Sequence, residues 1–146
     1  MKLQEIMTTH LATISPNNTV LDAAKMMQAH NIGCLPVCDQ NRKVLGIVTD
    51  RDLVVRCIAN NGDPKTTPIH SIMTTEVIEG NPMMDVDTAV RIMAEHKIRR
   101  LPVIENDRLV GMVALGDLAT RYRLIDEAGQ ALSEISEPSR PANMVQ

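Results

Sequence analysis

The sequence predicts an α+β fold, two tandem β-α-β-β-α motifs packed through their small sheets with pseudo-two-fold symmetry, on three observations. Ile6-Met7-Thr8-Thr9 recurs unchanged at Ile72-Met73-Thr74-Thr75; Leu35-Pro36-Val37 recurs at the same offset as Leu101-Pro102-Val103; and within each copy a helical apolar period gives way to a short hairpin pattern. Over residues 6–37 against 72–103, thirteen of 32 positions are identical by direct count, where ordinary residue usage gives about two. The chain therefore divides into a first motif with its linker (1–64), a second motif (65–125) and a C-terminal helical segment with a flexible tail (126–146).

Each motif opens on a short extended segment, Ala12-Thr13-Ile14 in the first, followed by a Pro/Asn turn. A helix follows, with Asn18 as its expected N-cap and Val20, Ala23, Ala24 and Met27 on one face; Val86, Ala89, Val90 and Met93 form the matching stripe. Its methionines read as core filler, and His30 and His96, at equivalent helix ends, are explained by the helix dipole. The runs Leu35-Pro36-Val37-Cys38 and Val44-Leu45-Gly46-Ile47-Val48 flank a polar turn and form a hairpin in which Pro36 demands an edge position or a ladder irregularity. The turn is one residue shorter in the second copy, as turns tolerate. Gly46-Ile47-Val48-Thr49 then passes into Asp50-Arg51-Asp52-Leu53, a helix opening at a strand end, where unpaired N–H groups suit phosphates and sugar hydroxyls. Ile125, Ala128, Leu132 and Ile135 give one more helical stripe, which stops at Pro138-Ser139-Arg140-Pro141.

A chain of 146 residues with 44% apolar residues can build a core, and Tyr122 is its only aromatic, so a bound base would lie in an aliphatic slot or against an arginine rather than on a ring. The net charge of −3 lacks the basic footprint of a nucleic-acid binder. Met1-Lys2-Leu3-Gln4-Glu5-Ile6 carries no signal-like pattern and no run approaches the ~18 apolar residues of a membrane span, so a cytoplasmic protein without membrane contact is expected. Three cysteines, Cys34, Cys38 and Cys57, without a second ligand pair at zinc-like spacing, read as buried thiols with no metal. No P-loop, Gly-x-Ser-x-Gly or His-Glu-x-x-His motif is present, and no enzyme is expected.

Two repeats that each carry Leu-Pro-Val followed by a Gly-x-x-x-x-x-Asp segment resemble a tandem pair of CBS domains, a Bateman module, over residues 1–125. The closer resemblance is to small stand-alone bacterial CBS proteins of the hypoxic-response type. It implies a regulatory adenosine-nucleotide site between the motifs, for AMP, ADP, ATP or S-adenosylmethionine, and no catalysis. Transferred residue by residue, it places Thr49 and Asp52 on phosphate and ribose, the base against Thr8, Ala12-Thr13 and Gly33-Cys34, and Arg100 on the phosphates. A second site around Thr74, Ile78, Arg99 and Asp117 is expected to be weak, because Ala114 replaces the threonine and Arg99-Arg100 stand where the first repeat has Gly33-Cys34. Thr49-x-x-Asp52 also fits a capping box that needs no ligand. The alternative is accordingly a structural dimer or partner scaffold with degenerate sites. Expected partners are a second copy of the chain, an adenosine-type small molecule and an effector protein.

Overall fold

The apolar stripe at helical spacing and the polar turns at its ends produce the element order of the computed structural model, which describes residues 1–121 together with 131, 134 and 135. Helix α1 spans Val20–His30, strands β1 and β2 span Cys34–Cys38 and Val44–Thr49, and α2 (Asp50–Asp52) runs on into π-helical turns over Leu53–Ile58. The second copy repeats the order with α3 (Val86–Glu95), β3 (Arg100–Glu105), β4 (Arg108–Ala114) and α4 (Leu115–Arg121). The N-cap of α1 is Thr19 rather than Asn18: the Thr19 hydroxyl accepts from the Asp22 N–H, and the Asp22 carboxylate accepts from the Thr19 N–H. Asn18 supports this box from outside, its amide donating to Asp22 at 3.1 Å. Past the helices, Asn31 and Lys97 adopt left-handed backbone with φ of 53° and 54°, the turn that ends a helix.

Each hairpin is antiparallel, and its ladder slips after Val37 in β1 and after Val103 in β3. This is the irregularity that the prolines demand, one residue beyond Pro36 and Pro102. The expected leading strand is reduced to a single parallel bridge, Ile14 to Val37 and Gly80 to Val103. On the far edge of each hairpin the partner comes from the other repeat. Thr74 exchanges both backbone hydrogen bonds with Ile47 of β2 at 2.9 and 2.8 Å, and Thr8 does the same with Met112 of β4 at 2.9 and 3.0 Å. The recurrent Ile-Met-Thr-Thr is thus an exchanged segment that completes the opposite sheet. It requires glycine beneath it: a Cβ on Gly46 would fall 2.8 Å from both Met73 Sδ and the Thr74 carbonyl, and one on Gly111 would collide with Met7.

The exchange extends to helix starts and cores. The Val20 N–H donates to the Thr67 carbonyl and the Val86 N–H to the Met1 carbonyl, at 2.9 and 3.0 Å, which satisfies orphan donors of α1 and α3. Lys2 pairs with Asp85 at 2.8 Å. Leu3 and Ile6 are buried in the second repeat's core with Val86, Leu101 and Val113, while Ile69 and Ile72 are buried in the first with Val20, Leu35 and Val48. The stripe expected after Tyr122 falls largely outside the described residues, as does the tail after Pro138; Ala131 is buried in the second core and Ile135 packs against it.

Candidate functional site

The turn from strand to helix at Thr49 is built as a reciprocal cap. The Asp52 N–H donates to Thr49 Oγ1 at 3.2 Å and the Thr49 N–H donates to Asp52 Oδ2 at 2.9 Å. Asp52 Oδ1 lies 3.5 Å from Arg56 Nε, and Arg56 Nη1 donates at 3.4 Å to the carbonyls of Ile72 and Met73 in the exchanged segment. Because Asp52 at the third helical position folds back to cap, Asp50 at the first is left facing outward. Its N–H donates to the Gly33 carbonyl at 2.9 Å, and its carboxylate lies where a Cβ on Gly33 would meet it at 2.8 Å.

Asp50 therefore borders a cleft of about 710 Å³ between the repeats, within the range of small-molecule sites. The first repeat contributes Gly33, Cys34, Ile47, Thr49 and Arg51 to it. The second contributes Thr74, Glu76, Val77 and Ile78 on one side and Lys97, Ile98, Arg99 and Arg100 on the other. The apolar part is an aliphatic slot, as a chain almost without aromatics requires. Four cations, Arg51, Lys97, Arg99 and Arg100, face two carboxylates, Asp50 and Glu76, and among the described residues none of the six is held in an ion pair.

The pseudo-symmetric cleft is smaller, about 220 Å³, and is lined by Thr8, His10, Leu11 and Ala12 of the first repeat and by Met112, Ala114 and Asp117 of the second. Cys34, Arg100 and Met112 border both clefts. Burial pushes the Cys34 thiol above its usual range, with Asp52 and Asp50 acting in the same direction and Arg100 opposing them. At neutral pH it is a protonated thiol and a poor nucleophile. All three cysteines are free, and among the described residues no cluster of three His, Cys, Asp or Glu side chains could hold a metal ion.

The structure regroups the residues expected from sequence. Gly33, Cys34, Thr49 and Arg100 meet in the larger cleft, joined there by Thr74, Ile78 and Arg99, which were expected around Asp117. Thr8 and Ala12 lie instead in the smaller cleft with Asp117. The reason is the exchange: a leading segment that completes the opposite sheet also lines the opposite cleft. Thr13 and Asp52 line neither cleft. Asp50 was missed, although its place at the start of a helix capped by Asp52 signals it; Lys97 was missed because it lies outside the Leu-Pro-Val motif.

Comparison with known proteins follows the same geometry. The CBS domain family model matches residues 3–58 and 69–123. The CBS domain-containing protein YhcV of Bacillus subtilis is 45% identical over 134 residues, 92% of this chain and 94% of that protein. Hypoxic response protein 1 of Mycobacterium tuberculosis is 32% identical over 116 residues, 80% of this chain and 81% of its own length. The CBS domain pair of protein MJ0100, solved in complex with 5′-methylthioadenosine and S-adenosylmethionine, superposes with a TM-score of 0.74 at 29% identity, covering 84% of this chain and 96% of that one.

Proposed function

Because this chain belongs to the CBS-domain family, we propose that it is a regulatory module whose larger inter-repeat cleft binds an adenosine-type ligand and performs no catalysis. The observation that carries the reading is the composition of that cleft. An aliphatic slot from Ile47, Val77, Ile78 and Ile98 suits a purine, Asp50 can accept from ribose hydroxyls, and the cations at its mouth suit phosphate. The adenosyl compounds held by the MJ0100 pair support the ligand class. The smaller cleft falls below the usual volume of a ligand site, which supports one principal site per chain.

A thermal-shift panel of AMP, ADP, ATP, 5′-methylthioadenosine and S-adenosylmethionine tests the reading. A ligand at a hundredfold excess over its dissociation constant stabilises the fold by about 2.7 kcal/mol. No shift with any of the five at millimolar concentration would remove the sensor reading. The scaffold reading, a structural dimer or a docking platform for an effector protein, would then stand on a separate observation. Thr49 and Asp52 already satisfy each other without ligand.

Association with a second copy is part of the proposal. Val54, Val55 and Ile58 on the turns after α2 are 59%, 44% and 51% exposed. Ala119, at the place equivalent to Val54 in the second repeat, packs against a core that Ala131 and Ile135 join. A bare apolar face on one repeat beside a covered one on the other suits a two-fold homodimer.

A further inference from the structure

The two clefts are made by the same fold from pseudo-equivalent positions, and one difference between the repeats separates them electrostatically. After its first helix the first repeat runs Asn31-Ile32-Gly33-Cys34, and the second runs Lys97-Ile98-Arg99-Arg100. Three neutral positions thus correspond to three cations. Lys97, Arg99 and Arg100 all line the larger cleft, where Arg51 joins them; of the three, only Arg100 also reaches the smaller one. In the larger cleft four cations stand against Asp50 and Glu76, and no ion pair among the described residues neutralises them.

We infer that the larger cleft selects its adenosine ligand by phosphate number, taking the di- and triphosphate in preference to the monophosphate and to uncharged or sulfonium-bearing adenosyl compounds. The inference rests on the reading of this cleft as an adenosine site. A polyphosphate carries the charge that four uncommitted donors can meet, and each added phosphate adds an attraction that the low-dielectric cleft walls strengthen. A sulfonium cation entering the same space meets net repulsion. The exposure of these side chains makes the preference dependent on salt, since screening acts over about 8 Å at physiological ionic strength.

Lys97 offers a clean variant. Its backbone is left-handed, with φ of 54°, and Asn31 holds the equivalent position at 53°. Asparagine accepts that conformation more readily than lysine, so Lys97→Asn removes the charge without loosening the turn. Calorimetric titration of the wild type at 0.05 and 0.3 M salt with AMP, ADP, ATP, 5′-methylthioadenosine, S-adenosylmethionine and inorganic triphosphate is the experiment. The expected result is affinity rising from AMP to ATP and falling with salt for ATP alone among ATP and 5′-methylthioadenosine. Lys97→Asn and Arg99→Gln should each weaken ATP about three- to fivefold, leave 5′-methylthioadenosine unchanged and leave the ligand-free melting temperature in place.

Equal affinity across AMP, ADP and ATP, or S-adenosylmethionine binding as tightly as ATP at low salt, would overturn the inference and leave the adenosine site standing. Inorganic triphosphate bound in a Lys97-dependent way, with no adenosine compound bound, would uphold the anion cleft and remove the adenosine reading. Binding of none of the six probes would overturn both.

Discussion

Met73 lies across Gly46, with its sulfur and the neighbouring Thr74 carbonyl both 2.8 Å from where a Cβ on that glycine would sit. At Gly111 the three nearest atoms all belong to the flexible Met7 side chain. Gly46→Ala should therefore cost about 1–3 kcal/mol, because the Thr74 carbonyl accepts from the Ile47 N–H while the Thr74 N–H donates back to Ile47, so that this backbone cannot withdraw. Gly111→Ala should cost less, and Met7→Ala in the same chain should recover part of the loss. Urea unfolding of the four proteins checks the order; equal costs at the two glycines would contradict it.

Asp50 and Asp52 are two residues apart and should separate stability from binding. Asp52→Ala removes a cap and the partner of Arg56, and should lower stability by about 1 kcal/mol. Asp50→Asn keeps a side-chain oxygen for the Arg51 N–H, which Asp50 Oδ1 accepts at 2.9 Å, and should leave the ligand-free melting temperature unchanged, while weakening ADP by roughly tenfold if its carboxylate accepts from the ribose. Melting curves of both variants with and without ADP make the comparison, and a reversed pattern would return Asp52 to the ligand.

The start of α1 should weaken in acid. Asp22 sits below the ordinary carboxylate range because it accepts the Thr19 N–H and, secondarily, the Asn18 amide. A depressed value in the folded state means that the contribution is present above the usual carboxylate range and is lost as pH falls through the folded value. The difference in stability between wild type and Asp22→Asn should be present near pH 6 and shrink toward pH 3. A difference independent of pH would mean that the ionised form is not what stabilises the cap.

The bare face formed by Val54, Val55 and Ile58 should be covered in solution. Sedimentation at tens of micromolar should find a species of twice 16.1 kDa, and Val54→Asp should shift it to the monomer. A wild-type monomer at that concentration would count against the dimer.

Much of this architecture is written locally. The hairpins follow from Leu-Pro-Val and the glycine-bearing apolar run, and the helices from stripes such as Val86, Ala89, Val90 and Met93, because both signals depend on residues a few positions apart. The N-cap was misplaced by one residue since Asn18 and Thr19 are both good caps, and the decision falls to Asp22, whose carboxylate reaches Thr19 N–H. What could not be read was which sheet each Ile-Met-Thr-Thr completes. Identical copies fit either hairpin equally well, so the repeat that reveals the fold also conceals the pairing. The site inherits that ambiguity: Thr8 and Thr74 change places between clefts although each was recognised as a lining residue.

The exchange of Leu3 and Ile6 for Ile69 and Ile72 has a topological consequence. One repeat by itself lacks the strand edge and the two core side chains that only another copy can lend, so a solitary repeat would have to trade arms with a twin before it could close. The tandem chain is such a swapped pair with its halves joined by the loop at 59–66. Severing that loop should leave two fragments that find each other and refold as one body, while either fragment alone remains open.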